Sequence, residues 1–434
     1  MKSGFLLLAA SCWLSAASAQ WLETTIQLDS GSGPYALCYN SQDDKVYCAN
    51  SSLGTVSVID GATNGITATI TLGTSAGSFC YNPLGNKVYC TYGADSGRLA
   101  VIDGAADSVV ATFALGPYPG YLCHNPQNNK VYCIMWDTNQ VVVIDGASDT
   151  LVATIAVGSK PQALGYNPHD NAVYCANRYS NNVTVIDGAR DSVLRTVAVG
   201  YMPCAFCFNT QNNRVYCANG GDFLSGYDST VTVIDGATHA AIDTVMVGDF
   251  PLAIAYNPRN NRVYTADADD GTVTVIDGAS NSVVATVATG NTGDYQANLC
   301  VDTFHNKVYR VSYRDSSVSV IDGVTNSVLT TIGVGEYPNA IAWNPAEGRV
   351  YVANLTSRSI SVIRDTTTPG VEETPSAEVR TPKSGPTILS GSSGVERIGS
   401  SVVFDPMGRR VVNPRSGVYF VREPSAVTKV VVQR

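Results

Sequence analysis

The chain has 434 residues, 44% of them apolar and 15% charged, with a formal net charge of −9 at pH 7. That is enough apolar length for a large core, and an acid excess without any basic cluster excludes nucleic acid as a partner. After the opening leader no run is long and apolar enough to span a membrane as a helix, so no transmembrane span is expected in the mature chain.

In chain order, residues 1–19 (MKSGFLLLAASCWLSAASA) carry one lysine, an apolar run and an Ala17-Ser18-Ala19 end. This is the pattern of a secretory signal peptide cleaved before Gln20. From residue 20 to 365 one phrase then returns in eight units, roughly 42 residues apart. It is cleanest from Pro161 to Gly200, PQALGYNPHDNAVYCANRYSNNVTVIDGARDSVLRTVAVG. The Asp of VIDG falls at Asp60, Asp103, Asp145, Asp187, Asp235, Asp277 and Asp322, with Arg364 in the eighth place.

Each unit offers four β-branched or aromatic runs bounded by Gly, Pro, Asn and Asp, which predicts four short strands, A to D. Such modules fold only by stacking, so the expected fold is all-β: an eight-bladed β-propeller of four-stranded antiparallel blades. The chain starts out of phase. Thr24-Thr25-Ile26-Gln27-Leu28 resembles a D strand, while the unit from Pro338 to Arg364 lacks one. The N-terminal strand is therefore expected to complete blade eight, because a loose three-stranded unit would leave an unpaired edge.

Tyr351-Val352-Ala353-Asn354 before Ile360-Ser361-Val362-Ile363, and Tyr174-Cys175-Ala176-Asn177 before Val183-Thr184-Val185-Ile186-Asp187, resemble the YVTN repeat family. That resemblance implies a propeller of surface-layer, secreted or periplasmic type across residues 20–365. It implies nothing specific about what is bound, since propellers host unrelated activities.

Residues 366–400 are rich in Thr, Pro, Ser and Gly and read as a flexible linker. Beyond it, 401–405, 417–421 and 429–432 read as three strands of a small β tail, 401–434. The pattern VFDPMGRRV…SGVYFV…KVVVQR resembles the end of a type IX secretion sorting domain. The resemblance implies a partner in the secretion machinery and a secreted or outer-surface location on a bacterium. Without it, the periplasm is the expected location.

Four cysteine pairs recur at one spacing across the A–B hairpin: Cys38/Cys48, Cys80/Cys90, Cys123/Cys133 and Cys207/Cys217. Two readings stand open: disulfides between opposed residues, or buried thiols serving as small apolar side chains. Other units hold Gly165/Cys175 or Ala255/Thr265 at the same places, so no blade requires a bond.

Length differences between units point to function. The A–B and C–D connections hold their length. The B–C loop gains one residue in blade two and six in blade five, and the D–A loop before blade seven gains three. Both loop types leave the same side of the disc, so one face is uniform and the other variable. The variable loops of blades five to seven offer Asp222, Tyr227, Asp228, Asp267, Asp269, Asp270, Asp294, Tyr295, Tyr313 and Arg314. Tyr118, Tyr201, Phe250 and Tyr337 lie on D–A loops leading to the channel. Rings mixed with acids suit an envelope glycan, a peptide or a protein ligand. Asp267-Ala268-Asp269-Asp270-Gly271 is loosely like a Ca²⁺ loop but lacks the distal bidentate glutamate. No other cofactor is expected.

Chemistry is poorly supplied. The four histidines have no metal-ligand spacing, and there is no G-x-S-x-G elbow or nucleotide-binding glycine loop. No catalytic residue is assigned. A non-catalytic recognition module is the expectation, with a lactonase- or lyase-type site at the channel mouth and a self-assembling envelope protein as the alternatives.

Overall fold

The computed structural model describes residues 20–365, apart from 223–225 and 295, together with the backbone of 388–390, 402–404, 417–423 and 426–433. The leader, most of the linker, Tyr295 and the side chains of Asp222 and Tyr227 lie outside the described residues. The chain divides into two compact units, Met1–Gly370 and Val371–Arg434.

The first unit is an eight-bladed propeller whose blades are four-stranded antiparallel sheets. In blade four the strands are Pro161–Asn167 (A), Ala172–Asn177 (B), Asn182–Asp187 (C) and Ser192–Ala198 (D). Neighbouring A strands pack in a full circle around the axis, leaving the D strands as the outer edges. As the sequence predicts, Gln20–Gln27 supplies the fourth strand of blade eight, pairing Ile26 with Ile360 and Gln20 with Asp365.

Alternation along B and C buries both sheet faces, so these middle strands are almost continuously apolar. The B-strand tyrosines Tyr47, Tyr89, Tyr132, Tyr174, Tyr216, Tyr264, Tyr309 and Tyr351 are fully buried. Most reach the next blade through the hydroxyl: Tyr47 donates to Asp107 at 2.9 Å, Tyr89 to Asp149 at 2.9 Å and Tyr351 to Asn64 at 2.7 Å. A buried phenol requires such a partner, and here the partner fixes blade spacing.

The register settles the cysteine question geometrically. Cys38 opposes Tyr47 while Cys48 opposes Leu37. The other pairs are offset in the same way, with Cys80 opposite Tyr89, Cys123 opposite Tyr132 and Cys207 opposite Tyr216. A one-residue offset sends the two side chains to opposite faces of the sheet. Cys38 accordingly packs between blades one and two, and Cys48 between blades eight and one. All eleven described cysteines are free thiols, and burial pushes Cys123 and Cys133 up to about 12. The disulfide reading is corrected accordingly.

In the second unit the three expected tail strands are present as Val402–Phe404, Gly417–Glu423 and Ala426–Gln433. A fourth, Ile388–Ser390, arises within the segment expected to be linker and pairs in parallel with the last. No helix among the described residues is long and apolar enough to cross a membrane.

Candidate functional site

The two faces of the ring are built differently. On the face of the A–B and C–D turns, the last A-strand asparagine donates to the hairpin of the next blade: Asn40 to Asn86 at 2.9 Å, Asn82 to Asn129 at 2.8 Å, and Asn125 to Asn171 at 2.8 Å. The ladder continues through Asn167–Asn213, Asn209–Asn261, Asn257–Asn306 and Asn344–Asp44. The glycine of VIDG is required by this ladder, since a Cβ at Gly104 would lie 2.5 Å from Asn40 Nδ2 and Asn86 Oδ1. The VIDG aspartates cap their own turns, as Asp145 does by accepting from the amides of Ala147 and Ser148. They are structural.

On the opposite face, the described carboxylates of blades five to seven also hold loops. Asp228 Oδ2 accepts the Tyr201 amide at 2.5 Å, and Asp270 accepts the Asp249 amide at 2.8 Å. Ser180 and Ser357 do the same for Ser159 and Glu336, so this is a blade-wide device and the acids are one version of it. Asp269 contributes its backbone carbonyl to Gly293. Asp267 is fully buried in the place of Asn177 or Asn219 and accepts from Thr265, Thr272 and Thr274. Burial raises its carboxyl to about 6 against those hydroxyl bonds. The Asp267–Gly271 turn thus spends its buried carboxylate on threonines, which leaves the Ca²⁺ expectation without structural support.

Asp294, from the three-residue insertion, is buried; burial raises its carboxyl, and Oδ1 accepts the Arg314 amide at 2.9 Å. Its Oδ2 lies 3.3 Å from Nη2 of Arg310, the largest fully buried side chain, whose guanidinium burial pushes down. Arg310 fills the position of Cys175 and Cys217 and supports the inserted loop from below. Of the aromatics, Phe250 is buried and Tyr201 half-buried. Tyr337 is exposed and stacks on Tyr313, with centroids 4.7 Å apart.

Among the described residues, a cavity of this face lies at the channel mouth of blades two to four. A cleft of about 280 Å³ is walled by Tyr92, Tyr118, Tyr121 and Trp136. Ser75, Thr91 and Gln162 supply polar groups, and no acid, lysine, arginine or histidine lines it. Tyr121 stands where other blades have Ala36, Ala163 or Ala205. It lies on the innermost strand yet keeps 49% of its surface accessible, so its ring occupies the channel; the enclosing walls and nearby Tyr35 raise its hydroxyl to about 12. Gly77 and Gly120 leave room, and a Cβ at Gly120 would lie 2.8 Å from Ile134 Cγ1.

The rings are held by polar contacts. Tyr118 donates to Asp95 at 3.0 Å, Arg98 Nε donates to the Tyr92 hydroxyl at 3.0 Å, and Trp136 donates its amide to the Tyr118 carbonyl at 3.1 Å. Lys160 Nζ sits 3.7 Å from the Trp136 ring centroid while paired with Asp137 at 2.6 Å. Of these wall residues sequence reasoning named only Tyr118. The signals it passed over were Tyr121 in an alanine position and aromatics at Tyr92 and Trp136 near B-strand ends that elsewhere carry asparagine.

One cluster departs from the solitary histidines expected. His305 Nδ1 contacts Asp302 Oδ2 and lies 3.5 Å from Asp365 Oδ2, at the seam between blades seven and eight. Asp365 also accepts from Lys307, Tyr309 and Gln20. Burial would raise its carboxyl, but these donors outweigh that and lower it. His239 Nδ1 meets the Tyr174 hydroxyl at 2.9 Å, His169 Nε2 meets the Thr210 carbonyl at 2.8 Å, and burial lowers His124.

No family model and no curated protein matches the chain. Among solved structures it is similar to hydrazine synthase of Kuenenia stuttgartiensis, with a TM-score of 0.55 and 16% identity over 79% of this chain and 98% of that one. At that identity the likeness supports the propeller fold and carries no activity across.

Proposed function

We propose that the chain is an exported, non-catalytic recognition propeller whose ligand is a neutral glycan segment seated at the channel mouth of blades two to four. The observation that carries this reading is the composition of the cleft: four aromatic side chains and three hydroxyl or amide groups, with no charged side chain in its lining. Rings offer apolar area to the C–H faces of a sugar, while hydroxyls and an amide exchange hydrogen bonds with its hydroxyls. An acidic or basic ligand would bring an uncompensated charge into such a site. A non-catalytic role is favoured because no carboxylate or imidazole lines the cleft to move a proton.

Export rests on residues 1–19 and delivery to the cell surface on the sorting-domain resemblance of 401–434. Deleting 401–434 is expected to keep the protein off the surface, and unchanged surface delivery would refute the sorting role. For the ligand, the full chain is applied to glycan, peptide and envelope-polymer arrays. Binding to neutral glycans, lost in Tyr121→Ala and in Trp136→Ala, is expected. Binding confined to charged polymers, or indifferent to both substitutions, would overturn the cleft as the site.

A further inference from the structure

The seam between blades seven and eight breaks the amide ladder at both partners. Gly348 stands where the other blades carry Asp44 or an asparagine, so it has no side chain to accept a bond. Across from it, Asp302 replaces the asparagine found at Asn40, Asn82, Asn125, Asn167, Asn209, Asn257 and Asn344. Next along the hairpin, His305 occupies the place of Asn128, Asn212 and Asn260. Those asparagines donate to the VIDG glycine carbonyl of the following blade, Asn260 to Gly323 at 2.7 Å for example. In blade eight that glycine is itself replaced, by Asp365. Three changes at three separate points of the repeat thus bring an imidazole and two carboxylates together, where the other junctions pair asparagines with one another or with a single carboxylate such as Asp43, Asp44 or Asp170.

Charge accounting at this spot is unusual. The Asp302 and Asp365 side chains are fully buried, and Lys307 is the one ammonium paired there. Two buried carboxylates thus share one ammonium and one imidazole, an arrangement that a bound cation would favour. One ligand atom from each of Asp302, His305 and Asp365 lies within 4.8 Å of the other two. The 3.5 Å between His305 Nδ1 and Asp365 Oδ2 matches the separation of about 3.3–3.5 Å between two ligands of a tetrahedral ion with bonds near 2.1 Å.

We propose that Asp302, His305 and Asp365 form a zinc-type divalent metal site that staples blade seven to the blade that closes the ring. The metal takes Nδ1 of His305, whose ring proton then resides on Nε2. It takes one oxygen from each carboxylate, with Asp302 Oδ2 swinging off the imidazole to make room. Asp302 Oδ1 keeps the amides of Phe304 and His305, and this fixes the carboxylate while its other oxygen moves. Tyr309 and Lys307, already on Asp365, orient that ligand from outside the first shell of donors. Three protein ligands leave a fourth position for water. The ion's role here is to hold the ring closed. Because Asp365 ends the C strand that pairs with the N-terminal strand, it ties both ends of the propeller to blade seven.

The test uses the full, untagged chain, stripped with a chelator and dialysed against zinc chloride alone. About one zinc per chain and a higher unfolding temperature are expected. Asp302→Asn restores the residue of the other seven blades and so preserves folding, yet it should weaken zinc binding by at least about a hundredfold. His305→Gln should do the same, with unchanged circular dichroism for both variants. Absence of stoichiometric zinc in the unsubstituted chain would overturn the proposal. So would zinc retained equally by both variants, which would assign the metal to the cysteines instead.

Discussion

The two faces of this ring use the same polar residue types for different ends. On the A–B and C–D face the VIDG aspartates cap their own turns, while the hairpin asparagines and the C–D aspartates reach a neighbouring blade, as Asn125 does to Asn171 and Asp149 to Lys87. On the B–C and D–A face the bonds are mostly made around a single D–A loop, and what remains exposed is aromatic, as with Tyr118, Tyr121 and Tyr337. A ring of identical wedges must be locked once per junction, and a lock that tolerates no length change keeps its turns uniform. The other face is released from that duty and can vary.

The largest expected effect comes from breaking the lock where the chain closes. Asp365→Ala leaves Lys307, Tyr309 and Gln20 without their buried acceptor, at a cost of about 3–5 kcal/mol. Asp149→Ala removes the equivalent acceptor of Lys87 and Tyr89 in an ordinary junction. There the Gly146 carbonyl and water remain for the partly exposed lysine and only the buried Tyr89 hydroxyl loses its acceptor, so about 1–3 kcal/mol is expected. Guanidinium unfolding midpoints of the two variants check this. Equal losses would show that closure is no more dependent on its latch than any other junction.

A smaller effect, of opposite sign, is expected from Asp267. Its carboxyl is raised to about 6, chiefly by burial, so between about pH 4 and 6 the folded chain holds a proton that the unfolded chain has released. Stability from this group therefore falls as pH rises through that window and stays low above it. Asp267→Asn, which restores the residue of blade five, should gain up to about 3 kcal/mol at pH 7 and almost nothing below about pH 4. A gain independent of pH would mean that nearby Arg310 keeps Asp267 charged throughout.

Next comes the ladder itself. Asn125→Ala removes from a buried side chain the donor to Asn171 and the acceptor for the Gln127 and Asn128 amides, three part-buried bonds, for about 1–3 kcal/mol. Asp95→Ala on the other face cuts one exposed bond to Tyr118 and should stay within about 0.5 kcal/mol. Thermal unfolding of this pair compares the faces directly. A loss at Asp95 as large as that at Asn125 would contradict the division of labour.

The architecture was legible because it is periodic: strand boundaries, blade number and closure by the N-terminal strand all follow from counting VIDG and noting the missing D strand. The cysteine pairing was not, because the Asn-Pro hairpin shifts the register by one residue, and a count of intervening residues does not reveal which face each side chain takes. The loop acids looked like ligand groups because composition cannot show that Asp228 and Asp270 point at backbone amides. The cleft and the His305 cluster join residues from different blades, and Asp365 lies sixty residues from His305. Only a column-by-column comparison of the repeats would have flagged them, through Tyr121 in an alanine column and Asp302, His305 and Asp365 in columns of asparagine and glycine.

The smallest stability effect is expected where the functional effect should be greatest. Tyr121→Ala restores the alanine of neighbouring blades and removes a ring that keeps half its surface in the channel, so the loss of buried area is slight. A change within about 0.5 kcal/mol is expected, below that of any substitution on the locking face. Yet the cleft loses one of its aromatic walls, and binding to a neutral glycan should fall by at least about tenfold if the ring supplies the 1.4 kcal/mol or more that such a wall contributes. Urea unfolding and glycan titration on the same preparation separate the two quantities. Should Tyr121→Ala destabilise the ring as Asn125→Ala does, the aromatic face would be part of the lock, and the cleft would be packing and not a site.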